Sequence, residues 1–188
     1  MVKPFGNPLF RAWLAIAGSA VLIVGAAYGM AQQSTRLSAD DLPLTSAQTA
    51  RQELQSGSDA KDVIPNLKTN LRADQTVFMI ITDGSQHVIA SSATLDGQTP
   101  LPPKGVFSFT QEHGTDHFTW EPSPGVRLAT RVISYSAPDS NKGFIITGQS
   151  LQPYEDRISA FGWIALAAIV AVAAWSYLLI VLPRPRRR

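Results

Sequence analysis

The stretch WLAIAGSAVLIVGAAYGM, residues 13–30, contains no charged side chain and is apolar on every face of a helix drawn through it. Roughly 20 apolar residues in a helix cross the ~30 Å hydrocarbon core of a bilayer, whereas a helix on a soluble domain keeps one polar face. Toward the other end, ISAFGWIALAAIVAVAAWSYLLIVL, residues 158–182, meets the same test. The sequence therefore predicts two transmembrane helices, over 12–31 and 158–182, and a protein for which the lipid bilayer is part of the solvent. Average composition conceals this segregation: 45% hydrophobic residues and a mean hydropathy of +0.03 are values of an ordinary soluble domain.

Lys and Arg beside the spans set the orientation, because basic flanks stay in the cytoplasm. Lys3 and Arg11 precede the first span, and Arg184, Arg186, Arg187 and Arg188 follow the second. The flanks between carry only Arg36 and Arg157, among Asp40, Asp41, Glu155 and Asp156. Residues 1–11 and 183–188 are thus expected in the cytoplasm and 32–157 outside it. The basic tail reads as a topology anchor on anionic headgroups rather than a nucleic-acid patch. A cleaved signal peptide is the alternative for the N-terminus, with Gly29 and Ala31 as the small residues before the cut. Its apolar core exceeds the roughly 7–15 residues usual in such signals, which favours an uncleaved anchor. Trp13, Tyr28, Trp163, Trp175 and Tyr177 lie toward the span ends, where aromatic rings meet headgroups. Gly18, Gly25, Gly29 and the alanines of the second span would let helices approach closely, although small residues are also simply common in spans.

Without cysteine, the exported segment has no disulfide framework and must hold together through its own core. Residues 32–44 are polar and turn-rich, with Thr45 or Ser46 the expected helix N-cap. Helix-favouring composition runs from about Ala47 to Arg72, divided by Gly57 and Pro65 into two helices. From Thr76 the pattern becomes that of strands. VFMIIT (77–82) and HVIAS (87–91) flank DGSQ and read as a hairpin with Asp-Gly turn chemistry. A loop rich in Pro and Gly covers 94–105, and 106–112 is a short helix or an edge strand. HFTWE (117–121), VRLATRVIS (126–134) and GFIIT (143–147) are three more strands, joined by the turns PSPG (122–125) and PDSN (138–141). Leading helices followed by five strands in meander-like order predict an α+β domain on an antiparallel sheet.

Strand alternation puts Arg127, Ala129, Arg131, Ile133 and Tyr135 on one face of their strand, and Phe118 and Trp120 on one face of the strand before. A Trp, a Tyr and two Arg on neighbouring strands are the components of a site for a small anion such as a carboxylate. The competing reading leaves the arginines on a solvated face and puts Trp120 in the core. His113 and His117, beside Glu112 and Asp116, resemble a metal spacing in number only, since Gly114 and Thr115 interrupt the helix that would align them. No metal or other cofactor is expected. Because no Gly-x-Ser-x-Gly elbow surrounds any serine, neither is an enzyme.

The order of helix, Asp83-Gly84 hairpin, Gly105-Val106-Phe107, WEPSPGVR (120–127), a Gly143-Phe144 strand, and Gln149-Ser150-Leu151 leading into a second span resembles the extracytoplasmic sensor region of bacterial two-component histidine kinases. That region is PAS-like, of the Cache or PDC kind, and the resemblance covers residues 35–182. It implies a dimeric sensor whose ligand, when present, lies on the sheet's concave face under the long loop, which points to Trp120, Arg127, Tyr135 and the segment 94–107. Such kinases continue past the second span into a linker helix, a His-bearing dimerisation domain and an ATP-binding domain, none of which is found in these 188 residues. The expectation is a sensory module without an output domain, signalling through helix contacts to a membrane-bound kinase or other partner. The alternative is an accessory membrane protein that uses the same fold as a docking surface.

Overall fold

The computed structural model describes residues 8–138 and 141–181, so the turn at 138–141 is described only in part, and the N-terminal residues 1–7 and the basic tail 183–188 lie outside the described residues. The chain divides into two compact units, one of residues up to Thr35 together with those from Glu155 onward, the other Arg36–Tyr154.

The first unit holds most of two long helices, α1 (Pro8–Ser38) and α5 (Gln152–Val181). Each is long and apolar enough to cross a membrane, over Pro8–Ser34 and Gln152–Ile180. They are joined by large side chains rather than small ones. The Trp13 indole Nε1 donates to the Ala173 carbonyl at 2.8 Å, and its ring meets Tyr177 edge-on with centroids 5.9 Å apart. Only Gly162 among the span glycines has a ring against it, that of Tyr28, whereas Gly18, Gly25 and Gly29 have open space where a Cβ would project.

In the second unit, the expected break at 32–44 shrinks to the two residues between α1 and α2 (Asp41–Gln55). Pro43 sits within the first turn of α2, where its missing N–H has no helical partner to lose. The N-cap position is accordingly Asp40 rather than Thr45 or Ser46, and the Thr45 hydroxyl instead donates to the Asp41 carbonyl. Gly57, at φ +96°, ends the helical run as expected. The second helix is a single turn, α3 (Ala60–Val63), capped by the Asp59 carboxylate on the Lys61 N–H. Pro65 holds the residue before it extended, so helix cannot continue. Residues past Pro65 form instead a short strand, β1 (Thr69–Asn70).

The expected hairpin is β2 (Phe78–Asp83) and β3 (Val88–Ser91). Its turn is closed by Gln86 at φ +69°, not by Gly84. The Asp83 carboxylate accepts from the Ser85 and His87 N–H groups, both at 2.8 Å, and the His87 bond chiefly holds its pKa below the ordinary carboxylate value. After β4 (Ala93–Thr94), which pairs in parallel with β1, residues 104–113 form helix α4 (Lys104–His113), the first of the two expected alternatives. Gly114, at φ +81°, terminates it. Then β5 (Thr115–Ser123), β6 (Val126–Ser136) and β7 (Lys142–Ser150) follow.

The main sheet is five-stranded and antiparallel, as expected, but its order is β3-β2-β7-β6-β5. A simple meander would place β7 at an edge; here it lies in the centre, between the hairpin and β6. Both faces are covered. On one, Phe78, Ile80, Trp120, Leu128, Val132, Phe144 and Ile146 pack with Leu71, Leu95 and Phe107. On the other, Met79, Ile81, Ile133, Tyr135 and Ile145 pack with Ala47, Ala50 and Leu54 of α2.

Two glycines of β7 make the central position workable. A Cβ on Gly143 would collide with the Thr82 carbonyl oxygen, and one on Gly148 would lie 2.6 Å from the Ala129 oxygen and 2.7 Å from the Phe78 ring. Gly148→Ala is therefore expected to destabilise the domain by about 1–3 kcal/mol, the usual cost of forcing extra volume into a packed core. Urea denaturation of the purified protein checks this, and an unchanged midpoint would show that β7 can shift to make room.

Candidate functional site

Of the three residues expected to line one site, the structure brings two to the same sheet face and puts the third on the other. Trp120 pairs with Leu128 in the β5–β6 register and belongs to the core beneath α4, only 8% exposed. Arg127 and Tyr135, odd-numbered on β6, point to the α2 side. There Tyr135 is buried and its hydroxyl donates to the Thr82 carbonyl at 3.2 Å, while Arg127 is exposed. The three cannot converge on one ligand. Alternation along β5 and β6 was visible separately, but the register that sets the two alternations in opposite phase was not.

The face under the long loop is likewise filled by protein. Phe107 of α4 is 1% exposed and stacks edge-on against Phe144, centroids 5.1 Å apart, while Leu95 of the loop enters the same cluster. Trp120, Phe107 and Leu95 occupy the space that a ligand would need.

Two buried polar side chains near the end of β7 make hydrogen bonds to distant parts of the second unit. The Gln149 amide nitrogen, on β7, donates to the Ala39 carbonyl and to the Tyr154 hydroxyl, both at 2.9 Å. Ala39 is the first residue after α1, and Tyr154 lies in the first turn of α5. Two residues earlier on the same face, the Thr147 hydroxyl donates to the Pro43 carbonyl of α2 at 2.7 Å. Gln149 and Thr147 are both buried, so each bond satisfies groups that water cannot reach. The signal for this in GFIITGQS was a period of two, which sets Ile145, Thr147 and Gln149 on one inward face and leaves two polar groups there needing partners.

A second feature is a groove of about 480 Å³ between β3 and the segment that follows α3, lined by Lys61, Ile64, Lys68, Val88, Ile89 and Thr99 among others. The Lys68 ammonium donates to the Ser91 carbonyl at 2.6 Å. Neither lysine was singled out from sequence, because only the stop imposed by Pro65 turns the chain so that both face β3.

His113 and His117 fall on different elements, the end of α4 and the middle of β5, with the left-handed Gly114 between them. His113 stacks on Phe109 at 4.0 Å with Nδ1 3.0 Å from the Phe109 carbonyl oxygen. Among the described residues no group of three or more His, Asp or Glu is placed to hold a metal ion.

Comparison of the chain with protein-family models, with curated proteins and with solved structures finds no match.

Trp120→Ala should cost about 3–5 kcal/mol, the range for deleting a buried aromatic side chain. Tyr135→Phe should cost only about 1 kcal/mol, for one hydrogen bond lost with packing kept. Thermal unfolding distinguishes the two; a near-neutral Trp120→Ala would mean that the indole is not part of the core.

Proposed function

We propose that this protein is a membrane-anchored sensory module: α1 and α5 span the bilayer, both termini are cytoplasmic, and the α+β domain stands outside the cytoplasm and influences a partner through the spans. The observation that carries this reading is the double hydrogen bond of Gln149. One side chain of the central strand holds the chain leaving α1 and the first turn of α5. Any shift of β7 is therefore felt by both connections at once, which a passive tether would not require. The five-stranded antiparallel sheet with helices on both faces also supports the PAS-like reading of the domain.

Orientation rests on the flanking charges. A cysteine at Ser58 should react with an impermeant thiol reagent applied to intact cells and one at Asn7 should not; the reverse pattern would overturn the topology.

The partners of this reading are a second copy and a signalling protein such as a membrane-bound kinase. The open face of α1 at Gly18, Gly25 and Gly29 suits close approach by another helix, since small residues let backbones meet where lipid gives no hydrophobic drive. A photo-crosslinking residue at Leu22 should trap a homodimer in membranes, and one at Leu179 of α5 should trap the signalling partner. Both side chains are exposed, 75% and 57%. Gln149→Ala should change the Leu179 yield several-fold at equal protein level. If that yield is unaffected, the domain is a docking surface rather than a sensor; if Leu22 traps no second copy, the dimer falls.

A further inference from the structure

The groove beside β3 lies at the edge of the main sheet, and two of its lining residues, Ile64 and Ala90, also pack against the α2-side core. We propose that it binds a small organic anion with an apolar body, an aliphatic carboxylate of a few carbons. This rests on the sensory reading for its purpose, though not for its chemistry.

Three observations converge. First, the space arises from topology. β3 is an edge strand of the main sheet, and β1 pairs only with β4, at Thr69–Asn70 against Ala93–Thr94. The segment before β1 therefore runs beside β3 without joining it. The resulting gap of about 480 Å³ lies within the roughly 300–1,000 Å³ range of small-molecule sites.

Second, its lining carries two cations and no carboxylate, Lys61 from α3 and Lys68 from the segment after it. Lys68 is held in place by its bond to the Ser91 carbonyl. An ammonium has three donors, so that bond leaves others for a ligand oxygen. Among the described residues the Lys61 ammonium makes no ion pair. An anion entering here meets a net positive wall, and charge-assisted bonds to it are stronger than neutral ones.

Third, beside the polar Asn66, Ser91 and Thr99, part of the remaining wall is apolar. Ile64, Val88 and Ile89 line the groove, and the two β3 residues stay 40% and 42% exposed. Exposed Val and Ile on an edge strand are a hazard that proteins usually mask with charge, and a hydrocarbon body bound there would cover them. Inorganic phosphate would satisfy the lysines and leave this wall bare. A carboxylate with an alkyl chain uses both.

The test uses the full chain in lipid nanodiscs with carbon-13 methyl labels on Ile and Val, titrated into the millimolar range with acetate, hexanoate, adipate and inorganic phosphate. The Ile64, Val88 and Ile89 methyls should shift saturably with hexanoate or adipate, while the buried Ile145 and Ile146 signals stay fixed. In a Lys61→Gln, Lys68→Gln double variant whose core signals are unchanged, affinity should fall roughly tenfold or more, as loss of charge-assisted bonds implies. Lack of a saturable shift with any carboxylate, or equal affinity in the double variant, would overturn the site. Phosphate binding as tightly as hexanoate would overturn the apolar-body claim. Saturable binding together with an unaltered Leu179 crosslink in the Gln149 variant would keep the groove and remove the sensory reading. The converse pair of results would do the opposite.

Discussion

The structure depends on the position of β7, a strand that must pair on both edges and pack on both faces. Its neighbours are β2 on one side and β6 on the other, so its backbone is paired on both edges from Gly143 to Gly148. Its faces meet two different cores, Phe144 and Ile146 on the α4 side and Ile145 on the α2 side. Crowding on this scale is possible only because Gly143 and Gly148 remove side chains where the Thr82 and Ala129 carbonyls and the Phe78 ring come closest. Helix α2 is then fixed by Thr147 from below, and the two connections to the long helices by Gln149. The fold radiates from one nine-residue strand.

That arrangement decides where a ligand can go. Both faces of the sheet are packed, and the face implied by the family resemblance is occupied by Phe107, Trp120 and Leu95. What is left for recognition is the perimeter: the edge at β3, where the sheet ends, and the far edge at β5. The first has a wall opposite it, built by α3 and the chain after it. Topology thus sets Lys61 and Lys68, rather than Arg127, along a groove.

Features set by local chemistry were legible in the sequence. Uniformly apolar runs located α1 and α5, since about 20 such residues without a polar face suit a helix long enough to cross a membrane. The β2–β3 hairpin and the β5–β6 connection fell where turn residues were expected, and Gly57 and Pro65 stopped helices where expected. Illegible were the features that depend on pairing between distant segments. The strand β7 reads the same at an edge or in the centre, and GFIITGQS does not say that β2 will lie beside it. Trp120 and Arg127 each obey alternation, yet whether they share a face depends on how β5 and β6 register across the bulge near Ser123. At the N-terminal junction, polar composition suggested a turn where the chain is helical up to Ser38, because the helix entering from α1 needs no new nucleus to continue.

The polar groups on β7 also bear on what the domain is for. A buried hydrogen bond contributes little net stability, about 1 kcal/mol, because folding exchanges it for bonds to water, and apolar side chains of similar size at 147 and 149 would pack against α2 without that exchange. What apolar residues would not supply is direction. A methyl group tolerates sliding by a fraction of a turn, whereas an amide with two acceptors at 2.9 Å has one arrangement that satisfies both. Gln149 therefore fixes the registry of Ala39 and Tyr154 relative to the sheet, and an alternative registry must break both bonds together. That geometric demand is what favours the sensory reading proposed above over a passive anchor, which leucine would serve as well.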